Sequence, residues 1–196
     1  MSKLKALALI LLASLPLAAQ ADWQLKAENS ALYFVSIKSG NVAETHRFKT
    51  LDGQVDPAGK LELIIDLTSV DTAIDIRDER MREYLFNTEQ HAKAKLTGAL
   101  DVSKYQNLKP GESVRIEPSL TLSLHGQSQV LDASLTLTKT ADGSLRVNTR
   151  KPVVVNAGDF GLLEGVDKLR ELAGLSSIAQ AVPVTVELVF TPTHGK

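Results

Sequence analysis

Charged side chains concentrate in one short segment of the sequence, SVDTAIDIRDERMREYLFN, at residues 69–87. The segment contains three arginines and five carboxylates: Asp71, Asp75, Asp78, Glu79 and Glu83. Carboxylates at this density could bind a metal ion or act as a general acid and base. Their spacing does not match a calcium-binding loop, and no histidine in the segment completes a zinc or iron ligand set. We therefore predict no metal site here.

The same charges have a simpler explanation at the start of a helix. The segment begins like a strand and ends with an apolar face at helical spacing, formed by Met81, Tyr84 and Leu85. This pattern predicts a helix over residues 76–86. Asp75 is the expected N-cap, and Asp78 should accept hydrogen bonds in the first turn, where Arg82 can also pair with it. We favour this structural role over catalysis.

The other residues with catalytic potential form no recognisable motif. The four histidines are far apart in the sequence: His46, His91, His125 and His194. His125 precedes a glycine in a predicted hairpin, so a turn or rim position is the favoured interpretation. After residue 21 there is no GxSxG or SxxK sequence and no glycine-rich phosphate loop, so nucleophilic catalysis has no specific support.

The N-terminal sequence MSKLKALALILLASLPLAAQAD resembles a secretory signal peptide. Lys3 and Lys5 precede a short apolar run, and small residues at Ala19 and Ala21 provide a cleavage pattern. We predict a signal peptide over residues 1–21, export to the periplasm, and a single domain over residues 22–196. No later stretch approaches the roughly 18 apolar residues that a spanning helix needs.

Composition excludes several further classes of function. Cysteine is absent, which rules out disulfides, thiol catalysis and cysteine-bound zinc. The formal net charge is −1, and no basic cluster suits a nucleic-acid partner.

Alternation of apolar and polar residues dominates the remaining sequence. It recurs in several runs, which include Leu61–Leu67, Leu120–Leu124 and Val182–Phe190. This period is typical of antiparallel strands with one buried face, and tight-turn sequences separate the runs. The pattern predicts an all-β barrel or sandwich with two short helices, the second over residues 165–175. Periodicity alone does not decide whether the apolar faces fill a core or line a cavity.

The charged segment also resembles a family signature, Ser-φ-Asp-Thr followed by Arg-Asp-x-x-φ-Arg-x-x-x-Phe, in which φ is apolar. The matching residues are Ser69, Val70, Asp71, Thr72, Arg77, Asp78, Met81, Arg82 and Phe86. The signature resembles that of the YceI-like family of exported lipocalin-like proteins. The segments NSALYFVSIK, RFKTLDG and LTLSLHGQSQVLDASL look like other parts of the family pattern. The resemblance implies an eight-stranded antiparallel lipocalin-like barrel.

The resemblance further implies a ligand, either a polyisoprenoid or a quinone-like lipid, held inside the barrel without any cofactor. The expected polar contacts are Arg77, Asp71, Thr72 and His125, of which Arg77 is the candidate for the head group because its planar fork suits phosphate or a quinone-like oxygen. The expected apolar contacts are Phe34, Leu63, Ile65, Leu122, Val186 and Leu188. A periplasmic carrier with transient membrane contact is the leading hypothesis.

Two other classes of function stay open at this stage. The first is an enzyme acting on such a lipid, which would require Asp71, Arg77, Asp78 and His125 to converge. The second is a structural or interaction protein whose barrel is filled. An interior cavity of roughly 300 Å³ or more with an aliphatic wall would favour the carrier.

Overall fold

A computed structural model of the chain describes residues 22–193. The predicted signal peptide and His194 lie outside the described residues. In the described part, the chain forms one antiparallel sheet of 14 strands and two short α-helices. No helix there is long and apolar enough to cross a membrane.

The strands follow one another closely along the chain. In the first half they are β1 (Asp22–Leu25), β2 (Ala31–Lys38), β3 (Val42–Phe48), β4 (Leu51–Val55), β5 (Lys60–Asp66), β6 (Val70–Asp71) and β7 (Lys93–Ala99). In the second half they are β8 (Ser113–Ile116), β9 (Ser119–Leu124), β10 (Gln127–Asp132), β11 (Leu135–Lys139), β12 (Leu145–Thr149), β13 (Val153–Asn156) and β14 (Ala181–Thr193).

The predicted alternation is visible in the burial of individual strands. In β5, Leu61, Leu63 and Ile65 are buried while the residues between them are more exposed. Most of the buried apolar side chains of the sheet belong to one apolar cluster. In β2 the sequence ALYFVSIK is apolar on both faces, which predicts a more buried strand than the others. Its Leu32 and Phe34 are buried, but Tyr33 on the other face is exposed.

The sheet follows the order β10-β9-β7-β5-β4-β1-β14-β12-β11-β8, and β2, β3, β6 and β13 branch from it through β14. The two strands at the ends of this order, β10 and β8, are each connected through a corner of the chain to a strand at the opposite end. Pro118 separates β8 from β9, and Ala133 with Ser134 separates β10 from β11. Pro118 lacks an N–H for a strand ladder, and its carbonyl accepts the Ala133 N–H at 3.1 Å.

These corners correct the predicted strand count. The all-β class with two short helices is confirmed, but the sheet contains 14 strand segments and its ladder does not close into a ring. The runs 113–124 and 127–139 each bend at a corner and pair with each other on both sides of it, as β9 with β10 and as β8 with β11. Their other neighbours differ, because β9 also pairs with β7 and β11 with β12. Sequence alternation continues across such a bend, so it does not reveal the break.

The two helices lie together at one end of the sheet. Helix α1 (Asp75–Arg80) continues as a π-helical turn (Met81–Leu85), and helix α2 comprises Leu163–Leu172. Gly165 in α2 lies against the π-helical turn, since a Cβ on it would be 2.5 Å from the Tyr84 carbonyl oxygen. Gly174, at φ +63°, is a left-handed residue just beyond the end of α2, which lies two to three residues before the predicted helix at both ends.

Candidate functional site: an apolar cavity beneath a charged corner

The inner face of the sheet and the two helices enclose a cavity of about 260 Å³. Its wall extends from Trp23 and Tyr105 at one end to Phe86 and Val166 at the other, so the cavity is elongated. Almost all of the wall is aliphatic or aromatic. The volume is slightly below the roughly 300 Å³ at which ligand sites begin. The character of the wall therefore meets the expectation for a carrier, whereas the size falls just short of it.

All six apolar residues predicted as ligand contacts belong to the wall of this cavity: Phe34, Leu63, Ile65, Leu122, Val186 and Leu188. They come from four strands, β2, β5, β9 and β14. Five of them are also buried from solvent, and Val186 is partly buried. Residues two positions apart in a strand, such as Leu63 with Ile65 and Val186 with Leu188, share the inner face because side chains alternate between the two faces.

The four polar residues predicted as ligand contacts, Arg77, Asp71, Thr72 and His125, lie outside the cavity wall. Three of them are engaged in hydrogen bonds at the corner between β6 and α1. We call this group, formed by Asp71, Thr72, Arg77 and Asp78, the charged corner.

Asp78 and Thr72 form the buried centre of the charged corner. Both are almost fully buried, at 6% exposure each. The Asp78 carboxylate oxygen Oδ1 accepts the backbone N–H of Thr72 at 2.9 Å and also its hydroxyl. A carboxylate at the start of a helix also suits the positive end of the helix dipole. Asp78 therefore connects the helix to the strand that precedes it.

Arg77 connects the charged corner to the neighbouring strand β3. Its Nη1 pairs with Glu44 Oε2 at 2.8 Å, and its Nη2 donates to the Thr72 carbonyl at 2.7 Å. Lys38 approaches the same Glu44 oxygen at 2.7 Å. The hydrogen bond from Lys38 is the main cause that lowers the pKa of Glu44, and the Arg77 guanidinium adds to it. The two end nitrogens of Arg77 are thus both occupied by protein acceptors.

Asp71 lies on the exposed side of the charged corner. Its Oδ2 accepts from Arg47 Nε at 3.0 Å, and its Oδ1 accepts the backbone N–H of Ala73 at 3.2 Å. These hydrogen bonds lower the pKa of Asp71, with Arg47 as the largest cause. Ala73 has a left-handed backbone, at φ +60°, which an alanine adopts only at a cost. The hydrogen bond that Asp71 accepts from the Ala73 N–H stabilises that turn.

Two capping predictions at this corner are wrong. Helix α1 begins at Asp75, so its N-cap residue is Ile74, which offers no side-chain cap. The Ile74 carbonyl accepts the N–H groups of Arg77 and Asp78 instead. Arg82 forms no ion pair with Asp78 within the described residues. The hydrogen bonds of the Asp78 carboxylate come instead from the backbone N–H and the hydroxyl of Thr72, which precedes it in the chain.

His46 is a buried histidine at the inner side of β3, at 4% exposure. Its Nε2 hydrogen-bonds with Ser36 Oγ at 2.8 Å, and its ring packs on Phe34 at a centroid distance of 5.2 Å. Burial is the main cause that lowers the pKa of His46, and the positive charge of Arg77 adds to it. The imidazole is therefore held neutral.

His125 occupies a tight turn between β9 and β10, as the sequence predicts. His125 and Gly126 both have positive φ, at 51° and 77°, which is typical of a type I′ hairpin turn. Its Nδ1 lies 3.3 Å from the Phe160 carbonyl, and its ring contacts His91 at a centroid distance of 4.6 Å. None of these partners belongs to the charged corner. The enzyme hypothesis therefore loses the convergent cluster on which it depended.

Sequence reasoning missed the polar groups that do belong to the cavity wall. These are the indole of Trp23, the phenol of Tyr105 and the hydroxyl of Thr149, which accepts the Val186 N–H at 3.3 Å. The Tyr105 hydroxyl is buried and has no hydrogen-bond partner among residues 22–193. Burial raises the pKa of Tyr105 to about 12. Trp23 was detectable as the only tryptophan of the chain, but Tyr105 lies in a loop without any periodic signal.

Fold and site together define the class of this protein. It is an antiparallel β protein whose inner face surrounds an elongated apolar cavity, with a charged corner beside the helices. The model of the YceI-like domain matches residues 23–190. The chain belongs to the YceI-like family.

Solved structures agree with this assignment. The polyisoprenoid binding domain from Saccharophagus degradans, implicated in plant cell wall breakdown, is 38% identical over 87% of this chain and 98% of its own, with a TM-score of 0.85. BcnA of Burkholderia cenocepacia is 18% identical over 85% of this chain and 99% of its own, with a TM-score of 0.67, and shares the fold. No curated protein matches the sequence.

Proposed function

We propose that this protein binds an isoprenoid lipid in the apolar cavity and carries it through the periplasm. The observation that supports the proposal best is the wall of the cavity, which is aliphatic or aromatic along almost its whole length. Burial of a prenyl chain against such a wall is favourable by about 25 cal/mol per Å² of apolar surface. The 38% identical relative is described as a polyisoprenoid binding domain, which supports the same class of ligand for this protein.

The cavity volume limits how much of a lipid is enclosed. About 260 Å³ corresponds to the space of roughly nine water-sized groups, at ~30 Å³ each. A short prenyl chain fits this volume, whereas a long chain requires the wall to widen or part of the chain to remain outside. The proposal of a long isoprenoid therefore includes an opening of the cavity when the ligand enters.

The export step rests on the N-terminal sequence alone. The basic residues, apolar run and small-residue pattern of residues 1–21 are those of a secretory signal peptide. Export would place the protein between membranes, where a carrier shields an apolar chain from water and contacts a membrane only transiently. Fractionation of cells, with mass determination of the mature N-terminus, tests this step directly. A cytoplasmic protein that retains residues 1–21 would contradict it.

The binding step is tested by lipid extraction. Protein purified without detergent should yield an isoprenoid by mass spectrometry, or should take up an added prenyl alcohol in stoichiometric amount. A protein that is consistently empty and binds no prenyl ligand would leave the filled-barrel alternative as the better function.

A pair of substitutions links the binding to the cavity. Ala94→Leu adds volume at a buried wall position, so it should weaken the uptake of prenyl alcohol while the fold is retained. Ala43→Leu, at an exposed position of β3, is the matched control and should bind like the wild type. Equal binding by both variants would show that the lipid lies elsewhere on the protein.

A further inference from the structure

The two ends of the cavity are lined by different side chains. Strand β5 shows the direction, because it begins after the 56–59 turn and leads towards β6 and α1. Towards the helices the wall includes the apolar side chains of Met81, Phe86 and Leu162. At the turn end the wall includes the side chains of Trp23 and Tyr105, which carry an indole N–H and a hydroxyl.

Pairing within the sheet brings Trp23 and Tyr105 to the same end. Trp23 lies opposite Val55 in the β1–β4 ladder, and the next residue, Asp56, acts electrostatically on Tyr105. Across the same 56–59 turn, the Leu100 N–H donates to the Gly59 carbonyl at 2.7 Å. The loop that contains Tyr105 therefore closes this end of the cavity.

A positive charge lies at the same end. The ammonium of Lys139 is 4.3 Å from the centroid of the Trp23 ring. Burial is the main cause that lowers the pKa of Lys139. In the described part of the chain, no carboxylate lies within ion-pair distance of this ammonium.

The Tyr105 hydroxyl lacks an acceptor. Tyr105 is 2% exposed, and no group of the described protein accepts its hydroxyl proton. The nearby carboxylates form hydrogen bonds elsewhere, since Asp101 accepts from Ser103 and Asp56 accepts the Lys60 N–H at 2.8 Å. A buried tyrosine hydroxyl usually has a partner, and an unmet donor is costly.

We propose that the polar end of the bound isoprenoid lies at this Trp23–Tyr105 end, and that it carries an oxygen that accepts a hydrogen bond from the Tyr105 hydroxyl. The inference rests on the proposed function and adds the orientation of the ligand and the chemistry of its polar end. Because the Tyr105 hydroxyl is enclosed by its neighbours, a small terminal oxygen such as a carbonyl fits best once those side chains shift. The prenyl chain then points towards the helices.

Geranylacetone, a short isoprenoid ketone, and its hydrocarbon counterpart without the carbonyl are suitable probes. Affinity is measured by calorimetry, and Trp23 fluorescence reports specifically on this end, since Trp23 is the only tryptophan. The wild type should bind the ketone ~2- to 10-fold more tightly than the hydrocarbon, as one hydrogen bond provides. Ketone binding should also change the Trp23 emission.

Tyr105→Phe removes only the hydroxyl and should abolish the preference for the ketone while hydrocarbon affinity is retained. Tyr33→Phe, which removes an exposed hydroxyl on the outer side of β2, is the matched control and should keep the preference. Without ligand, Tyr105→Phe should melt no lower than the wild type, because the lost hydroxyl has no protein partner. A lower melting temperature of the empty variant would show that the hydroxyl already has a partner and would overturn the proposal.

The outcomes separate this inference from the proposed function. If neither probe binds the wild type, lipid binding itself fails. If both probes bind but with equal affinity, or if the ketone binds without a change in Trp23 emission, lipid binding stands and the inferred orientation is wrong. A loss of ketone preference in an Arg77→Lys variant, with Tyr105→Phe unaffected, would place the polar end at the charged corner instead.

Discussion

The Oδ1 atom of Asp78 accepts two hydrogen bonds from Thr72, one from the backbone N–H and one from the hydroxyl. The two residues are six positions apart and both are buried. This pair connects the end of β6 to the start of α1. The carboxylate of the family signature thus has a structural role, in which it positions the helix that covers one end of the cavity.

Asp78→Ala should lower the free energy of unfolding by about 1–3 kcal/mol, because the Thr72 N–H and hydroxyl are then buried without an acceptor. Urea unfolding followed by circular dichroism measures the change. Asp75→Ala, at an exposed position without a side-chain cap bond, is the control and should change stability by less than about 0.5 kcal/mol. If Asp78→Ala leaves the free energy of unfolding unchanged, water replaces the lost hydrogen bonds to Thr72.

Arg77→Ala should also destabilise the fold, by about 1.5–3 kcal/mol, since it removes charge-assisted hydrogen bonds to Glu44 and to the Thr72 carbonyl. Thermal melting of the empty protein measures this effect. The prediction from sequence is that Arg77 contacts the lipid head group. In that case Arg77→Ala should weaken lipid retention more than it lowers the melting temperature. Lipid retention after gel filtration, compared with the melting temperature, distinguishes the two roles.

The stability of the protein should decrease as the pH falls below about 6.5, because His46 is held neutral by burial and by Arg77. Its pKa in the folded state is lower than in the unfolded state, so the unfolded state binds more protons in the window between the two values. The stabilisation is complete above the unfolded pKa and is lost as the pH falls through this window.

Urea unfolding at a series of pH values tests the role of His46. His46→Gln removes the titrating group and should flatten the slope of stability against pH below about 6.5. The absolute stability of the variant will differ, so the slope is the relevant quantity. An unchanged slope in His46→Gln would assign the pH dependence to other groups.

Gly165→Ala should separate α2 from the π-helical turn. A Cβ at this position would be 2.5 Å from the Tyr84 carbonyl oxygen and 2.8 Å from the Leu85 Cα, so backbone has to move. We expect a cost of about 1–3 kcal/mol, as for other overpacked contacts. Gly158→Ala is the matched control, because its Cβ would meet only Leu163 at 3.7 Å or more. Denaturant unfolding of both variants provides the comparison.

If α2 covers the cavity as the structure indicates, Gly165→Ala should also release bound lipid faster than the wild type. Val166 in this helix and Phe86 after the π-helical turn both belong to the cavity wall. The rate of prenyl alcohol exchange, measured at a temperature at which both proteins are folded, tests the effect. An unchanged exchange rate would mean that the ligand enters at the other end.

The sequence alone was sufficient for the class of fold and for the presence of two short helices. It also placed Leu63 and Ile65 on one face of a strand, because strand periodicity is a local property that burial imposes on successive residues. Gly174, just after α2, has the left-handed backbone that favours glycine beyond a helix C-terminus. The signature around Arg77 and Asp78 was sufficient to identify the family.

Only the tertiary structure decided which partners the charged residues have. Arg77 pairs with Glu44, 33 positions away, and Asp78 turns back to Thr72 rather than forwards to Arg82. The break of the long strands at Pro118 and Ser134, the 260 Å³ cavity and the unpaired Tyr105 hydroxyl also depend on contacts between distant segments. Local sequence patterns do not predict these contacts. A hydrogen bond forms between groups that packing brings within about 3 Å of each other, whatever their spacing along the chain.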